Sequence, residues 1–393
     1  MTTGPGLLMP SPDGALQQWS PSGRVVSAAP TAGFSSRTAF AAAHVVADPL
    51  ADNTPGSRAV IDWDRTLTFR EHLWSLGLGV AEAMDTAQRG MGLDWAATAE
   101  LITRSTARAA EVGGRIAVGV GTDQLTPGQH TLDAVLAAYT EQLEVAERAG
   151  AQVILMASRA LAAVAQGPDD YVKVYSRMLE QTSSPVILHW LGDMFDPMLA
   201  GYWGSADLDS AAETVLALIC DHADRVDGIK VSLLDAGREV ALRRRLPSGV
   251  RLYTGDDFDY QALIAGDGVS EHPHSDALLG IFAAIAPAAS AALQALDRGD
   301  RGEFDALLEP TLPLARHLFA APTYYYKTGI AFLAWLNGHQ PAFSMVGGLQ
   351  AGRSLPHLAR TLQLADDAGV LADPELATRR MRHLLAVHGV EQP

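Results

Sequence analysis

The feature that most constrains this chain is a repeated exchange of short apolar runs with longer amphipathic ones. Strand-like runs occupy 40–47, 79–84, 115–121, 152–157, 185–190, 226–232, 250–255 and 268–271. Helical windows lie between them. In 131–149, Leu132, Val135, Leu136, Tyr139, Leu143 and Ala146 share one helical face, and 208–222 has a similarly broad apolar face. Strict alternation of strand and helix implies a parallel sheet, because parallel neighbours need a crossover connection. Eight such units in 393 residues favour a closed (β/α)8 barrel over an open doubly wound sheet. No G-x-G-x-x-G follows any of the strands, so a dinucleotide site has no support and no cofactor is expected.

The barrel is assigned to 36–297. Residues 1–35 are rich in Gly, Pro and Ser and lack periodicity, so they read as an irregular, poorly ordered arm or a surface wrap. After the eighth run only helical windows remain. The first of these closes the barrel, and 298–393 reads as a C-terminal helical segment packed on it. The net charge of −16 argues against nucleic-acid or anionic-membrane partners. No apolar run approaches the roughly 20 residues of a membrane span, and the first 30 residues show no signal peptide. A single cysteine, Cys220, excludes an internal disulfide, and a reducing cytoplasm is the expected home.

Lysine is scarce. Only Lys173, Lys230 and Lys327 occur, against 26 arginines. Lys230 sits in the apolar run Val226–Ser232 (VDGIKVS), where an arginine would not lose its proton but a desolvated lysine can, and can then attack a carbonyl. A lysine at a strand end can also simply pair with a carboxylate. In a barrel of this kind chemistry sits at the C-terminal ends of the strands. Those ends carry Asp85 and Thr86 after the second, Ser158 and Arg159 after the fourth, His189 on the fifth, Lys230 and Ser232 on the sixth, and Asp256 and Asp257 after the seventh. Glu271, His272 and His274 follow the run taken as the eighth. The outcome is a carboxylate-rich rim around one amine.

These runs resemble, in order and spacing, the dihydrodipicolinate synthase and N-acetylneuraminate lyase superfamily of class I aldolases. VDGIKVS is similar to the family's sixth-strand motif, Leu252–Asp257 (LYTGDD) to its seventh and Gly266–Ser270 (GDGVS) to its eighth. Gly114–Gly121 (GRIAVGVG) resembles its third strand, and Asp62, His72-Leu73 and Gly79 its first helix and exit. The resemblance covers about 38–335 and implies a Schiff-base lysine at Lys230. Two departures stand out. The family's Gly-Thr-Thr-Gly-Glu grip on a 2-oxo acid is replaced by Ala83–Gly90, in which only Thr86 survives and Asp85 would repel an acid. The family's proton-shuttling tyrosine aligns with His189, whose imidazole can do the same transfers.

The expected function is therefore a Schiff-base-forming lyase or aldolase acting on a polar carbonyl compound, sugar- or polyol-derived, with Lys230 as nucleophile and His189 as acid/base. Asp85, Thr86, Arg159, Asp256, Asp257 and Glu271 would bind substrate or tune the lysine, and Arg89 or Arg159 could supply a new carboxylate site. A rival reading is a metal-dependent lyase or isomerase built on His189, Glu271, His272 and His274. A third is a non-catalytic barrel that binds a small molecule. A homodimer or homotetramer is expected, with apolar Ala331–Trp335 as surface. The run Tyr324, Tyr325, Tyr326, Lys327 reads as core packing or an oligomer contact.

Overall fold

A computed structural model describes residues 6–392 except Pro12, Thr86, Ala87, Pro127, Gln129 and Val269. Eight parallel strands close into a barrel: β1 Ala39–Ala42, β2 Gly79–Glu82, β3 Ile116–Val120, β4 Gln152–Leu155, β5 Val186–Leu191, β6 Val226–Ser232, β7 Arg251–Thr254 and β8 Asp276–Leu279. Each pairs with its neighbour in sequence, and β8 returns to β1 with Ala277 opposite Ala39. Helices occupy the crossovers, and their ends follow ordinary capping chemistry. Thr131 accepts from Ala134 N to start the helix Leu132–Ala149, and Gly150 in the left-handed conformation ends it.

Seven strands coincide with the apolar runs of the sequence, and the eighth does not. Gly266–Gly268 and Ser270–His274 form bends before β8, with Gly266 and Gly268 at positive φ and Ser270 bonded to Asp267. The true strand, Asp276-Ala277-Leu278-Leu279, runs almost without a break into apolar residues that continue to the helix Ala286–Asp297, so its period is hidden. Glu271, His272 and His274 precede β8 and lie at the N-terminal end of the barrel. There His272 Nε2 meets Leu246 O at 2.9 Å and His272 O accepts from Arg243 Nε at 3.0 Å.

The barrel axis is filled by Phe40, Ala42, Ala81, Ala117, Ile154, Ile187, Tyr253 and Leu278. Gly228 makes room for the largest of these, since a Cβ there would lie 2.8 Å from the Tyr253 ring. Interior packing therefore seals the lower barrel and leaves the C-terminal layer for polar groups.

The described residues of the N-terminal arm wrap onto the C-terminal helices. Leu7–Pro10 pairs antiparallel with Leu16–Trp19, and Leu7 and Met9 are buried. The arm is tied to the C-terminal helices: Leu8 N donates to Gln392 Oε1 at 2.8 Å, Ser22 N to Asp366 Oδ2 at 2.7 Å, and Val26 N to Gly369 O at 2.7 Å. All eleven residues of the helix Tyr326–Leu336 are buried. Ala331–Trp335 is therefore spent inside the chain and offers no surface to a second copy. Among the described residues no helix is long and apolar enough to cross a membrane.

One buried ion pair fastens the first crossover to the barrel. Arg70, from the helix Trp63–Ser75, grips Glu82 at the end of β2 through two bonds of 2.7 and 2.8 Å and also donates to His44 O at 2.6 Å. Both side chains are fully buried. Removing one partner strands a charge out of water, so Arg70→Met should lower unfolding stability by about 3–5 kcal/mol. Urea titration checks this. Adding Glu82→Leu should recover most of the loss, because an apolar pair of similar volume carries no desolvation cost.

Candidate active site

Residues on β6 alternate between the helices outside and the axis inside. Ile229 and Val231 join the outer core, whereas Gly228, Lys230 and Ser232 turn inward. Lys230 stands opposite His189 in the β5–β6 register. Gly255, just beyond β7, is required for this. A Cβ there would lie 2.8 Å from Lys230 Cε and 2.2 Å from Ser232 Oγ. A glycine at this place in the LYTGDD run is thus explained by the space the lysine side chain occupies.

Lys230 is 6% exposed, and its one polar contact among the described residues is Met84 Sδ at 3.7 Å. It makes no ion pair among them. Burial pulls its pKa down to about 8, Asp85 and Asp257 pull it back up, and Lys327 pushes it down. Asp257 moves the other way. Burial raises it to about 7, while the bond from Ile281 N at 2.9 Å and the charge on Lys230 oppose the rise. Burial thus draws the amine and the acid toward each other in pKa, and the charge on each acts on the other.

His189 is 2% exposed, with Nε2 at 3.3 Å from Ser232 Oγ and Nδ1 without a partner among the described residues. Burial and the neighbouring Lys230 hold it well below the usual histidine range, so the ring is neutral at physiological pH.

The end of β2 is a strained corner. Ala83 has φ +50°, a conformation that costs a residue with a Cβ, and the turn it makes carries Met84 and Asp85 to the cavity. Arg89 fastens the corner by donating to Ala83 O at 3.0 Å and Gly119 O at 2.9 Å, and it also pairs with Asp123. Gly119 is needed as well, because a Cβ there would lie 2.6 Å from Ala83 O. Arg89 is fully engaged in this role and is no substrate group. Asp85 is engaged too. Oδ1 accepts from Tyr326 OH, and Oδ2 pairs with Lys327 Nζ at 2.5 Å.

Lys230, His189, Ser232, Asp85, Asp257 and Met84 line one cavity, with Leu191, Gly280, Phe195, Phe319 and Tyr326. Its volume is about 20 Å³, room for about one water. Phe195, in the loop after β5, and the stacked pair Phe319 and Tyr326, with ring centroids 4.3 Å apart, roof it over. Entry of a substrate therefore requires the roof to part. A larger groove of about 230 Å³ lies on the outer side of the same two strands, lined by Trp190 and Val231, and faces away from the amine.

The structure thus brings Lys230, His189, Asp257 and Asp85 together and leaves other candidates apart. Asp256 uses Oδ1 to cap Phe258 N and Asp259 N and does not line the cavity. Arg159 is half-exposed and held by Asp196 at 2.5 Å, away from the cavity wall. Thr86 lies outside the described residues. Glu271, His272 and His274 are separated from His189 by the length of the barrel, so the four do not form a metal site. Among the described residues no group of three or more His, Cys, Asp or Glu is placed to hold a metal.

Tyr326 and Lys327 are the residues that sequence reasoning missed. A signal for Lys327 was present: the scarcity of lysine that singles out Lys230 applies equally to it. Tyr326 had no such signal, since an aromatic run in an apolar helix usually packs a core.

The solved structures that resemble this chain share its barrel. A putative dihydrodipicolinate synthetase from Pseudomonas aeruginosa aligns with a TM-score of 0.60 and 17% identity over 84% of this chain and 99% of its own. A dihydrodipicolinate synthase from Acinetobacter baumannii gives 0.61 and 15% over 86% and 100%. A prophage protein of the dihydrodipicolinic acid synthase family from E. coli K12 gives 0.63 and 13% over 85% and 99%. At these identities the likeness establishes the fold. No curated protein matches the chain. One family model spans residues 7–390, nearly the whole sequence, and by that match the chain belongs to the family described as protein of unknown function DUF993.

Proposed function

We propose that the protein is a Schiff-base-forming lyase of the class I aldolase type, with Lys230 as nucleophile. The observation that carries this reading is a buried lysine without an ion-pair partner among the described residues, at the inner face of β6, whose pKa is brought down to about 8. A structural lysine would be paired or exposed, and this one is neither.

The chemistry follows from the neighbours. Asp257 takes the proton that the Lys230 ammonium sheds, and the neutral amine adds to a carbonyl carbon. As the C–N bond forms the carbonyl π pair moves to oxygen, and the proton left on nitrogen passes to that oxygen through His189, neutral and in register with the amine. Asp257 then returns its proton to the carbinolamine hydroxyl, which leaves as water while the nitrogen lone pair forms the C=N bond. The iminium is then the electron sink for cleavage or dehydration.

Two of the solved structures with this fold hold pyruvate, which supports a small carbonyl ligand here. A carboxylate on that ligand would meet Asp257 directly, with Asp85 already saturated. Hydroxyl groups could donate to Asp257 and bond Ser232 instead. A neutral sugar- or polyol-derived ketone therefore fits the cavity's charges better than a 2-oxo acid.

Borohydride trapping with a panel of keto-sugars and 2-oxo acids, read by intact mass, should give a stoichiometric adduct on the native protein and none on Lys230→Arg. That variant keeps the charge but cannot form an imine, and turnover of any trapped compound should fall by roughly three orders of magnitude. A persistent adduct on folded Lys230→Arg, or its retained turnover, would overturn the assignment.

The pH dependence has a definite sign. Only the deprotonated amine attacks, so the rate of adduct formation, sampled by quenching into borohydride, should rise with pH through about 8 and then level off. A rate that is flat from the acid side to the alkaline side of that value would place the rate-limiting group elsewhere.

A further inference from the structure

We infer that the C-terminal segment completes the active site: Tyr326 moves the proton on the carbon next to the iminium, passing its own phenolic proton to Asp85, which Lys327 holds in place. This rests on the Schiff-base reading of Lys230.

The geometry is the first support. Tyr326 lies at the start of a helix far outside the eight strands, yet its ring lines the same cavity as Lys230. Its hydroxyl donates to Asp85 Oδ1, which leaves the phenolic oxygen's lone pairs for another partner. Asp85 Oδ2 meets Lys327 Nζ at 2.5 Å, and the same ammonium donates to Ala42 O at 2.7 Å at the end of β1. Lys327 is 1% exposed and Asp85 7%. The barrel makes room for the ring, because a Cβ at Gly280 would lie 2.9 Å from Tyr326 Cε2.

A purely structural reason for this cluster is weak. The helix Tyr326–Leu336 is buried along its whole length, so apolar contact already docks it. Burying an ammonium and a carboxylate is costly before their attraction is counted, and an apolar pair of the same volume is often as stable. A charged pair with a phenol on one side, set against a cavity that contains a reactive amine, is better explained by chemistry.

Electrostatics favours Tyr326 over His189 as the proton acceptor. A proton taken by His189 would put a second cation beside the iminium, and that ring already resists protonation. On the Tyr326 route, the proton leaves carbon for the phenolic oxygen as the phenolic proton moves to Asp85 Oδ1. The C–H pair becomes the new C=C bond and the C=N π pair settles on nitrogen. The positive iminium and the negative carboxylate vanish together, leaving a neutral enamine and a neutral acid beside Lys327. No free phenolate is needed, which matters because burial and Asp85 hold Tyr326 well above its ordinary pKa.

The test uses the full chain with pyruvate and dihydroxyacetone as probes. Two quantities are read: the borohydride adduct by intact mass, and exchange of the probe's α-protons in D2O by proton NMR. Tyr326→Phe should still form the adduct but lose exchange at least about 100-fold, in the range of a removed general acid/base. Asp85→Asn should lose it similarly, since the amide accepts the phenol's hydrogen bond but cannot take its proton. Exchange by folded Tyr326→Phe within a few-fold of the native rate would overturn the role of Tyr326 while leaving the Schiff base standing. If Tyr326→Phe does not fold, native-like exchange by Asp85→Asn overturns it instead. Failure of the native protein to trap either probe, or any member of the wider panel, would remove the Lys230 assignment and this one with it.

Discussion

Exclusion of water from the mouth of the barrel is the condition on which the electrostatics of the cavity depends. The side chains there are ordinary, and in water they would be ordinary in behaviour: an ammonium, a charged carboxylate, a half-protonated imidazole. Desolvation disfavours the charged form of each, lowering Lys230 and His189 and raising Asp257. Behind β7 the same pressure raises Glu239 to about 8, against bonds from Ser275 and Thr254. The one acid in the cavity that gains a full cationic partner is Asp85, and that partner comes from outside the barrel. Water exclusion in turn requires the roof of Phe195, Phe319 and Tyr326, so the lowered pKa of the amine is a property of the closed chain.

The barrel supplies position and the glycines supply clearance. Parallel pairing places His189 opposite Lys230, and the alternation of side chains along each strand sends both to the axis. Such a layer is crowded. Gly119 lets the corner at Ala83 approach, Gly255 frees the path of the lysine stem, and Gly280 admits the tyrosine ring. Each of these concerns a close approach, and the strained φ belongs to Ala83 alone among them.

What the sequence reveals depends on how local the signal is. β1 to β7 are short apolar runs between amphipathic windows, so their period is visible. β8 escaped because Asp276 opens it and apolar residues follow to the next helix, which removes the contrast that marks a strand. Reading the strand too early placed Glu271, His272 and His274 at the C-terminal end of the barrel, whereas they lie at its N-terminal end, away from His189. Lys230 is legible because charge in an apolar run is rare and because the flanking runs resemble a known lysine motif. Asp257 follows from the same spacing. Tyr326 and Lys327 were hidden for a different reason: they lie nearly one hundred residues beyond Lys230, and only three-dimensional docking brings them to it. Arg89 and Arg159 looked available by composition, and only geometry reveals that carbonyls and carboxylates already claim them.

The pairing of Asp85 with Lys327 has a consequence for how the molecule is made. The eight strands are complete at Leu279, and the helix that follows β8 ends at Asp297. A nascent chain can thus close its barrel while Lys327 and Tyr326 are still unmade. Until they arrive, Asp85 lacks its ammonium and the roof over Lys230 lacks Tyr326 and its stack with Phe319. The N-terminal hairpin waits longer still, since its partners at Asp366, Gly369 and Gln392 follow Lys327 in the chain. Order of synthesis therefore puts the closing of the cavity after the closing of the barrel.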